Sequence, residues 1–262
     1  MMLAHTPAGP LASLVSSIGH AEGSHPHARE LALPTGGSQL LVNLDADRLS
    51  SESGGVRTVV SGAGLSGATS RPAVIDPAEQ RAVMWVCLRP GAAAALFDPP
   101  AGEFRDALVP LAELWGSTGA ALRERLLAEP TPAARIELLE RVLLGRAARG
   151  REPEPGVARA AVDLHRGVAV ATVADRLGWT DRRLVRSFTD QIGLPPKRFA
   201  RVRRFQRLLG LRCGDASDWA GRAAEAGYYD QAHMIHDFRE FTGMSPTSYA
   251  PRSPGERNHV PL

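Results

Sequence analysis

Two stretches of the sequence, LGWTDRRLVRSF (residues 177–188) and GYYDQAHMIHDF (residues 227–238), share one pattern. Each has a glycine where a short helix would end, then a brief turn, then a second helix with apolar residues every three or four positions. Glycine suits the end of a helix because it adopts positive φ without steric cost. The pattern predicts helix, tight turn and helix twice over, and this decides the fold of the C-terminal part.

The two stretches belong to a longer internal duplication. The first copy spans Ala169–Phe199 and the second Trp219–Tyr249, here called the first unit and the second unit. From the second helix onward they align at an offset of 50 residues, which pairs Phe188 with Phe238 and Gly193 with Gly243. Thr180 and Asp230 precede the second helices and are predicted to cap them. In the first unit, Leu184, Val185 and Phe188 are predicted to face inward.

A helix-turn-helix projects its second helix into the major groove of DNA, where base edges present a readable pattern of donors and acceptors. Arginine can bind guanine through two hydrogen bonds, glutamine suits adenine, and alanine can contact a thymine methyl group. A solvated helical bundle is the alternative, which two matched copies disfavour. The residues predicted to contact bases are Thr180, Arg182, Arg183, Arg186, Gln231, Ala232, His233 and His236. For Arg183, pairing with a nearby acid is an equally simple role.

The segment between the units, Pro195–Leu211, is predicted to form one amphipathic helix with a basic surface. Charge is also unevenly distributed along the chain. Residues 1–150 hold 13 Arg and 15 acidic residues, net −2, whereas residues 151–262 hold 17 Arg and one Lys against 13 acidic residues, net +5. A basic excess favours a polyanionic partner. The residues predicted to contact phosphates are Lys197, Arg198, Arg201 and Arg239.

The N-terminal part has the composition of a β domain. Gln39–Leu44, Val56–Val60 and Ala82–Leu88 are apolar runs separated by Gly, Pro and Asp, which favours a small β-sandwich or barrel. Residues 120–149 have helical spacing, and Gly150–Gly156 has the composition of a linker. We therefore expect an α+β chain with a β-rich domain (1–115), a helical connector (116–150), an all-α double helix-turn-helix domain (151–250) and a disordered tail (251–262).

Composition narrows the class of protein further. The 262 residues are 44% hydrophobic and 23% charged, which is typical of a globular chain. We expect neither a signal peptide nor a membrane span, because no long apolar run occurs. Cys87 and Cys213 are too few for a disulfide framework and are expected to be reduced, in keeping with a cytoplasmic location.

One cluster in the N-terminal part could have its own chemistry. His25, His27 and Glu30, in HPHARE, have a residue content that suits a divalent transition metal. The spacing is one residue short of the usual cupin cluster, and solvent-exposed histidines are the favoured interpretation. We expect no catalytic residues and no cofactor. A cupin-type metal-dependent enzyme with a helical appendage is the alternative, and a protein-binding helical module is a second one.

The C-terminal residues closely resemble the DNA-binding domain of the AraC/XylS family of bacterial transcription regulators. The resemblance covers about Val157–Tyr249 and is most specific in LGWTDRRLVRSF and in GYYDQAHMIHDFREFTGMSPTSY. It implies that two recognition helices, joined by a long helix, enter successive major grooves. His236 occupies a position that is usually Arg in this family, so we expect the second unit to contribute less specificity than the first.

Residues from about Leu11 to Trp115 are similar to the cupin-like sensor half of one AraC-type subgroup, which implies a small β-barrel before the DNA-binding half. The resulting hypothesis is a transcription regulator, not an enzyme, that responds to a signal at its N-terminal domain. Its expected partners are double-stranded DNA, RNA polymerase and a small-molecule effector. Homodimerisation through residues 120–149 or the β-rich half is also considered, although packing of 120–149 within its own chain is slightly favoured.

Overall fold

The computed structural model describes residues 2–211 and 219–262. Cys213 lies outside the described residues. The strands are β1 (Met2–His5), β2 (Val15–Glu22), β3 (Glu30–Ala32), β4 (Gln39–Asn43), β5 (Leu49–Ser53), β6 (Val56–Val60), β7 (Ala63–Ser66), β8 (Ala73–Ile75), β9 (Ala82–Leu88), β10 (Leu108–Pro110) and β11 (His259–Pro261). The helices are α1 (Ala93–Leu96), α2 (Leu111–Trp115), α3 (Ser117–Ala128), α4 (Pro132–Ala147), α5 (Pro155–His165), α6 (Val170–Leu177), α7 (Asp181–Ile192), α8 (Pro196–Gly210), α9 (Trp219–Ala226) and α10 (Gln231–Thr242).

The predicted α+β class and its β-rich N-terminal half are confirmed, but the predicted barrel is wrong. The strands form two separate antiparallel sheets, in the orders β1-β2-β9-β4-β7-β10 and β11-β3-β8-β5-β6. Neither order returns to its first strand, so neither sheet closes. The three strands expected from apolar runs are present as β4, β6 and β9.

The connector helices α3 and α4 cover the first sheet. Their apolar residues Leu122, Leu126, Leu139 and Leu143 are fully buried in one core with strand residues such as Val42. The predicted packing of residues 120–149 within their own chain is confirmed. Because these four side chains are already buried within the chain, they are not available to a dimer interface.

The expected linker is held at both ends. Gly150 packs so tightly on the backbone of Ala95 that a Cβ atom would lie 1.9 Å from its carbonyl oxygen. Four residues later, the Glu154 carboxylate lies 2.8 Å from the Arg183 guanidinium, and its amide donates to Gln191. Helix α5 then begins at Pro155, a favourable first helical residue. The linker is therefore packed against the N-terminal half at Gly150 and against the first unit at Glu154.

The prediction of a disordered tail is wrong. Strand β11 pairs antiparallel with β3 and so adds an edge strand to the second sheet of the N-terminal half. Leu33 donates to the Asn258 carbonyl at 2.7 Å, and Val260 is buried. The composition of residues 251–262 is polar, but backbone pairing and one buried valine are enough to order them here. This tail, residues 251–262, crosses from the C-terminal domain to the N-terminal one.

The helix α8 forms part of the same junction. Val202, Phe205 and Leu208 share a core with Leu31 and Leu33 of the β-rich half. Gln206 donates to the Pro34 carbonyl at 2.7 Å. Within the described residues, no helix is both long and apolar enough to span a bilayer.

Candidate nucleic-acid interface

The first unit has the predicted geometry. Helix α6 ends at Gly178, whose φ of 64° is left-handed, as the sharp turn requires. The Thr180 hydroxyl accepts a hydrogen bond from the Arg183 amide at 3.2 Å and so caps α7. Leu184 and Phe188 are buried and hold α7 against the rest of the unit. The N-terminus of α7 is thereby fixed at the end of the turn.

The second unit repeats this geometry with its own residues. Gly227 follows α9 with a φ of 86°, and Asp230 caps α10 by accepting from the His233 amide at 2.7 Å. Met234, Phe238 and Phe241 are fully buried. The two recognition helices end alike, at Gly193 and Gly243, both left-handed. The predicted duplication is confirmed in three dimensions.

The outward face of α7 presents two arginines. Arg182 is exposed, and the side chain of Arg186 is 84% exposed, with Asp190 3.9 Å away as its ion-pair partner. Such an exposed pair contributes little stability, so the Arg186 guanidinium can exchange it for another acceptor. Val185, expected in the core, is 45% exposed instead, and it adds a methyl surface to the same helix.

Two of the predicted base-contacting groups on this unit already have roles within the protein. The Arg183 guanidinium lies 4.4 Å from the centre of the Trp179 ring and pairs with Glu154. The Thr180 oxygen accepts the capping hydrogen bond. Both side chains remain at the exposed start of α7, but their hydrogen-bonding capacity is partly used.

On α10, Gln231 and Ala232 are exposed and the His236 side chain is 75% exposed. His233 differs from these three residues. Its Nε2 lies 3.1 Å from the Arg204 guanidinium, and its ring packs edge-on against Tyr228. The second recognition helix therefore presents a neutral amide, a methyl group and one imidazole, with His233 turned toward α8.

A buried carboxylate that sequence reasoning missed ties α10 to α8. Asp237 is 1% exposed, and it accepts from Arg201 at 2.6 Å and from Arg204 at 3.2 Å. Burial alone would lower the pKa of Arg201, but hydrogen bonds to Asp237 and Glu240 override it and raise that pKa. A buried ion pair with this many donors fixes the angle between two helices more than it adds stability. The sequence did contain a signal, since Asp237 falls at an inward position between Met234 and Phe241.

The four predicted phosphate contacts divide into two kinds. Lys197 and Arg239 are exposed and make no ion pair with another described residue. Arg198 donates to the Ser70 carbonyl of the β-rich half at 2.5 Å and pairs with Glu240. Arg201 is bound by Asp237 and Glu240. The predicted basic surface of α8 is thus largely turned to internal partners.

Arg203 illustrates that internal role of α8. It donates to the Thr35 carbonyl of the β-rich half at 3.0 Å and to His165 Nδ1 at 3.1 Å. Burial, together with the nearby Arg207, lowers the pKa of Arg203. The arginines of α8 thereby contact α5, the second unit and the N-terminal half.

The HPHARE residues lie at the junction with the tail. Glu30 is fully buried, and its carboxylate contacts His27 at 2.7 Å, Arg252 at 2.9 Å and His259. Burial alone would raise the pKa of Glu30, but hydrogen bonds from His259 and His27 and the charge of Arg252 bring it down to about 2. His25 lies 3.2 Å from the Arg252 guanidinium.

This arrangement is unsuited to a metal ion, because Arg252 occupies the carboxylate and repels a cation. In the part of the chain that the structure describes, no three His, Cys, Asp or Glu side chains are grouped to hold one. The residues that suggested a cupin-type metalloenzyme instead connect the two halves of the chain.

Comparison with known families is consistent with this geometry. Residues 173–252 match the family described as "Helix-turn-helix domain", which is of the AraC type. The chain carries an AraC-type helix-turn-helix domain. Residues 3–110 match a second family, described as "Domain of unknown function (DUF6597)". The AraC-type domain follows the DUF6597 domain in the chain, and it marks the protein as a DNA-binding transcription regulator.

No curated protein sequence matches the chain. Among solved structures, the chain is similar to ToxT from Vibrio cholerae at 9% identity and a TM-score of 0.47, over 95% of this chain and 97% of that one. A ToxT structure from strain O395, bound to (E)-4-(8-methylnaphthalen-1-yl)but-3-enoic acid, is 10% identical with a TM-score of 0.49, over 95% of this chain and 97% of that one. The AraC-like transcriptional activator CuxR is 16% identical with a TM-score of 0.23, over 78% of this chain and 85% of that one.

Proposed function

We propose that this AraC-type regulator binds a specific DNA sequence by inserting α7 and α10 into successive major grooves. The observation that supports this most is the pair of capped recognition helices with exposed faces, of which α10 is fixed on the connecting helix α8 by Asp237 and its two arginines. A fixed angle lowers the entropic cost of engaging both grooves together. Half-sites about 10–10.5 bp apart would place both grooves on one side of the duplex.

The base contacts we assign follow from exposure. Arg182 and Arg186 on α7, and Gln231, Ala232 and His236 on α10, have exposed side chains that can reach a groove. Thr180, Arg183 and His233 stay in the proposed set as secondary contacts, since each also has a partner within the protein. For phosphates, Lys197 and Arg239 are the stronger candidates, and Arg198 and Arg201 would first exchange internal partners.

We also propose that a signal at the N-terminal domain modulates this binding. A surface cavity of about 540 Å³, lined by His25, His27, Asp76 and Arg81 among others, lies beside Glu30. A small molecule there would contact His27, which holds the same carboxylate as Arg252 of the tail. Occupancy would therefore alter the connection between the two halves.

The domain bounds, the partners and the location of the protein are also proposed. The domain bounds proposed are 1–115, 116–150 and 151–250, with the tail as part of the junction. RNA polymerase and a second copy of the chain are proposed partners in the cytoplasm. A surface for the second copy is β6, at the edge of the second sheet, where Val56 and Val59 are 67% and 52% exposed.

Selection from a random pool of duplex DNA tests the function directly. The proposal expects enrichment of a two-part sequence with a fixed spacing, and with guanine in the half contacted by α7. Enrichment of a one-part site would limit recognition to one unit. Absence of any enriched sequence would reject sequence-specific binding.

A further inference from the structure

A cleft separates the two helix-turn-helix units, and we call it the interunit cleft. Its walls are the loop 166–169 with the first residue of α6, one face of α8, and the last two residues of α9 with Gly227. Its volume is about 480 Å³, enough for a small polar group with its first water molecules. It lies on a different part of α8 from Gln206, which contacts the β-rich half.

The lining of the interunit cleft is strongly basic. Five cationic side chains line it against the single carboxylate of Glu225, namely Arg166, Lys197, Arg201, Arg204 and Arg207. Asp237 and Glu240 neutralise Arg201 and Arg204 from outside the cleft. Arg166, Lys197 and Arg207 then remain opposite Glu225, which leaves a local excess of two positive charges.

Arg207 lies in the middle of this charge without an acidic partner among the described residues. Its guanidinium donates to the carbonyl oxygen of His165 at the end of α5 and to that of Ala226 in α9 of the second unit. Burial, with Arg204 nearby, lowers the pKa of Arg207. The neighbouring Arg204 has an unsatisfied donor, because its buried Nε has no hydrogen-bond partner within the described residues. Uncompensated buried donors of this kind are stabilised by an anion.

We propose that the interunit cleft binds a phosphate group, with Lys197 and Arg166 at its entrance and Arg207 at its floor. Since Arg207 already joins the second unit to α5, which shares a core with the first unit, a bound phosphate would hold the two units at one relative angle. Two sources provide the same chemistry: a backbone phosphate of bound DNA, or a free phosphorylated small molecule. The DNA source rests on the proposed function, whereas the free source does not.

The experiment uses the full chain and a double variant, Arg166→Gln with Lys197→Gln, because both residues are exposed and their replacement leaves the core intact. The matched control is Arg57→Gln with Arg159→Gln, which removes the same charge from exposed positions outside the cleft. In the first arm, inorganic pyrophosphate is titrated at constant ionic strength while thermal unfolding is followed. In the second arm, affinity for a 30-bp duplex of unrelated sequence is measured between about 50 and 200 mM salt.

If the phosphate is free, pyrophosphate raises Tm in the wild type and the control, and the cleft variant needs at least tenfold more for the same shift. If it belongs to DNA, the slope of log Kd against log salt falls by about 1 in Arg166→Gln alone, which leaves the proposed phosphate contact of Lys197 in place, and much less in Arg159→Gln alone. Either result supports the cleft. Equal behaviour of the cleft and control variants in both arms would overturn it. The pyrophosphate arm decides the matter even for a protein that binds no DNA, so failure of the cleft and failure of the proposed function are distinguishable.

Discussion

The carboxylate of Glu30 lies 2.9 Å from the guanidinium of Arg252, although 222 residues separate them in the chain. Glu30 begins β3 within the β-rich half, and Arg252 belongs to the tail that follows the second unit. The same carboxylate accepts from His27 and His259, so one buried acid connects the β-rich half with the end of the DNA-binding domain. The two halves are therefore expected to unfold together.

Replacing Glu30 by Gln tests this connection. The substitution keeps the shape but removes the charge that Arg252 and two histidines share, and Arg252 retains only Glu256 as an acidic partner. We expect a loss of about 1–3 kcal/mol in the free energy of unfolding, measured by urea denaturation. Glu137→Gln, at an exposed position on α4, is the control and should change stability by less than about 0.5 kcal/mol. Equal stability of the two variants would mean that the charge of Glu30 contributes nothing to holding the tail.

The depressed pKa of Glu30 predicts a dependence of stability on acid. Its pKa of about 2 in the folded chain lies below the ordinary value of 4.5, so the unfolded chain binds the proton more tightly. The contribution of Glu30 is therefore complete above about pH 5 and is lost as pH falls toward 2. We expect the free energy of unfolding to fall more steeply over this range in the wild type than in Glu30→Gln. Parallel curves for the two proteins would contradict the low pKa.

Asp237 is predicted to hold α10 at a fixed angle on α8, the helix that joins the two units. Asp237→Asn keeps the volume but weakens the contacts with Arg201 and Arg204, so we expect a stability loss of about 2–4 kcal/mol. Affinity for a two-part site should fall more than affinity for either half alone, because the angle matters only when both units engage. Asp175→Asn, on the exposed face of α6, is the control and should leave both affinities unchanged. A uniform loss on all three DNA molecules would point to partial unfolding instead of a lost angle.

The first unit is predicted to supply more specificity than the second. Arg186→Ala should cost about 1–3 kcal/mol of discrimination at a guanine, since the bidentate contact is lost. His236→Ala should cost less, because an imidazole forms a weaker contact with a base edge. Both side chains are largely exposed, so neither change should alter folding. Binding of the two variants to one selected operator decides the order, and an equal or larger loss at His236 would show it to be wrong.

The features that were predictable from sequence are those fixed by neighbours along the chain. Gly178 and Thr180 act within a few residues of themselves, so their roles follow from local backbone chemistry. The tail strand β11 was not predictable in this way, since three residues ending in proline have almost no strand pattern, and its partner β3 lies more than 200 residues earlier. Polar composition alone suggested disorder there.

In the candidate interface, too, the local features were predictable from the sequence and the long-range contacts were not. The exposure of Arg182 and Arg186 follows from helical spacing, whereas the engagement of Arg198 depends on Ser70 in the other domain. Asp237 was the exception, because a carboxylate at an inward helical position already requires a cationic partner. Its partners on α8 could have been sought among Arg201 and Arg204, which are three residues apart and share a face.

The most direct test of the central claim is a hydroxyl-radical footprint of the full chain on a duplex selected from the random pool. Insertion of α7 and α10 into successive major grooves predicts two protected regions, one helical turn apart, on the same side of the duplex. Arg186→Ala should weaken protection of the guanine-containing half first. A single protected region, or uniform protection without sequence preference, would contradict the account.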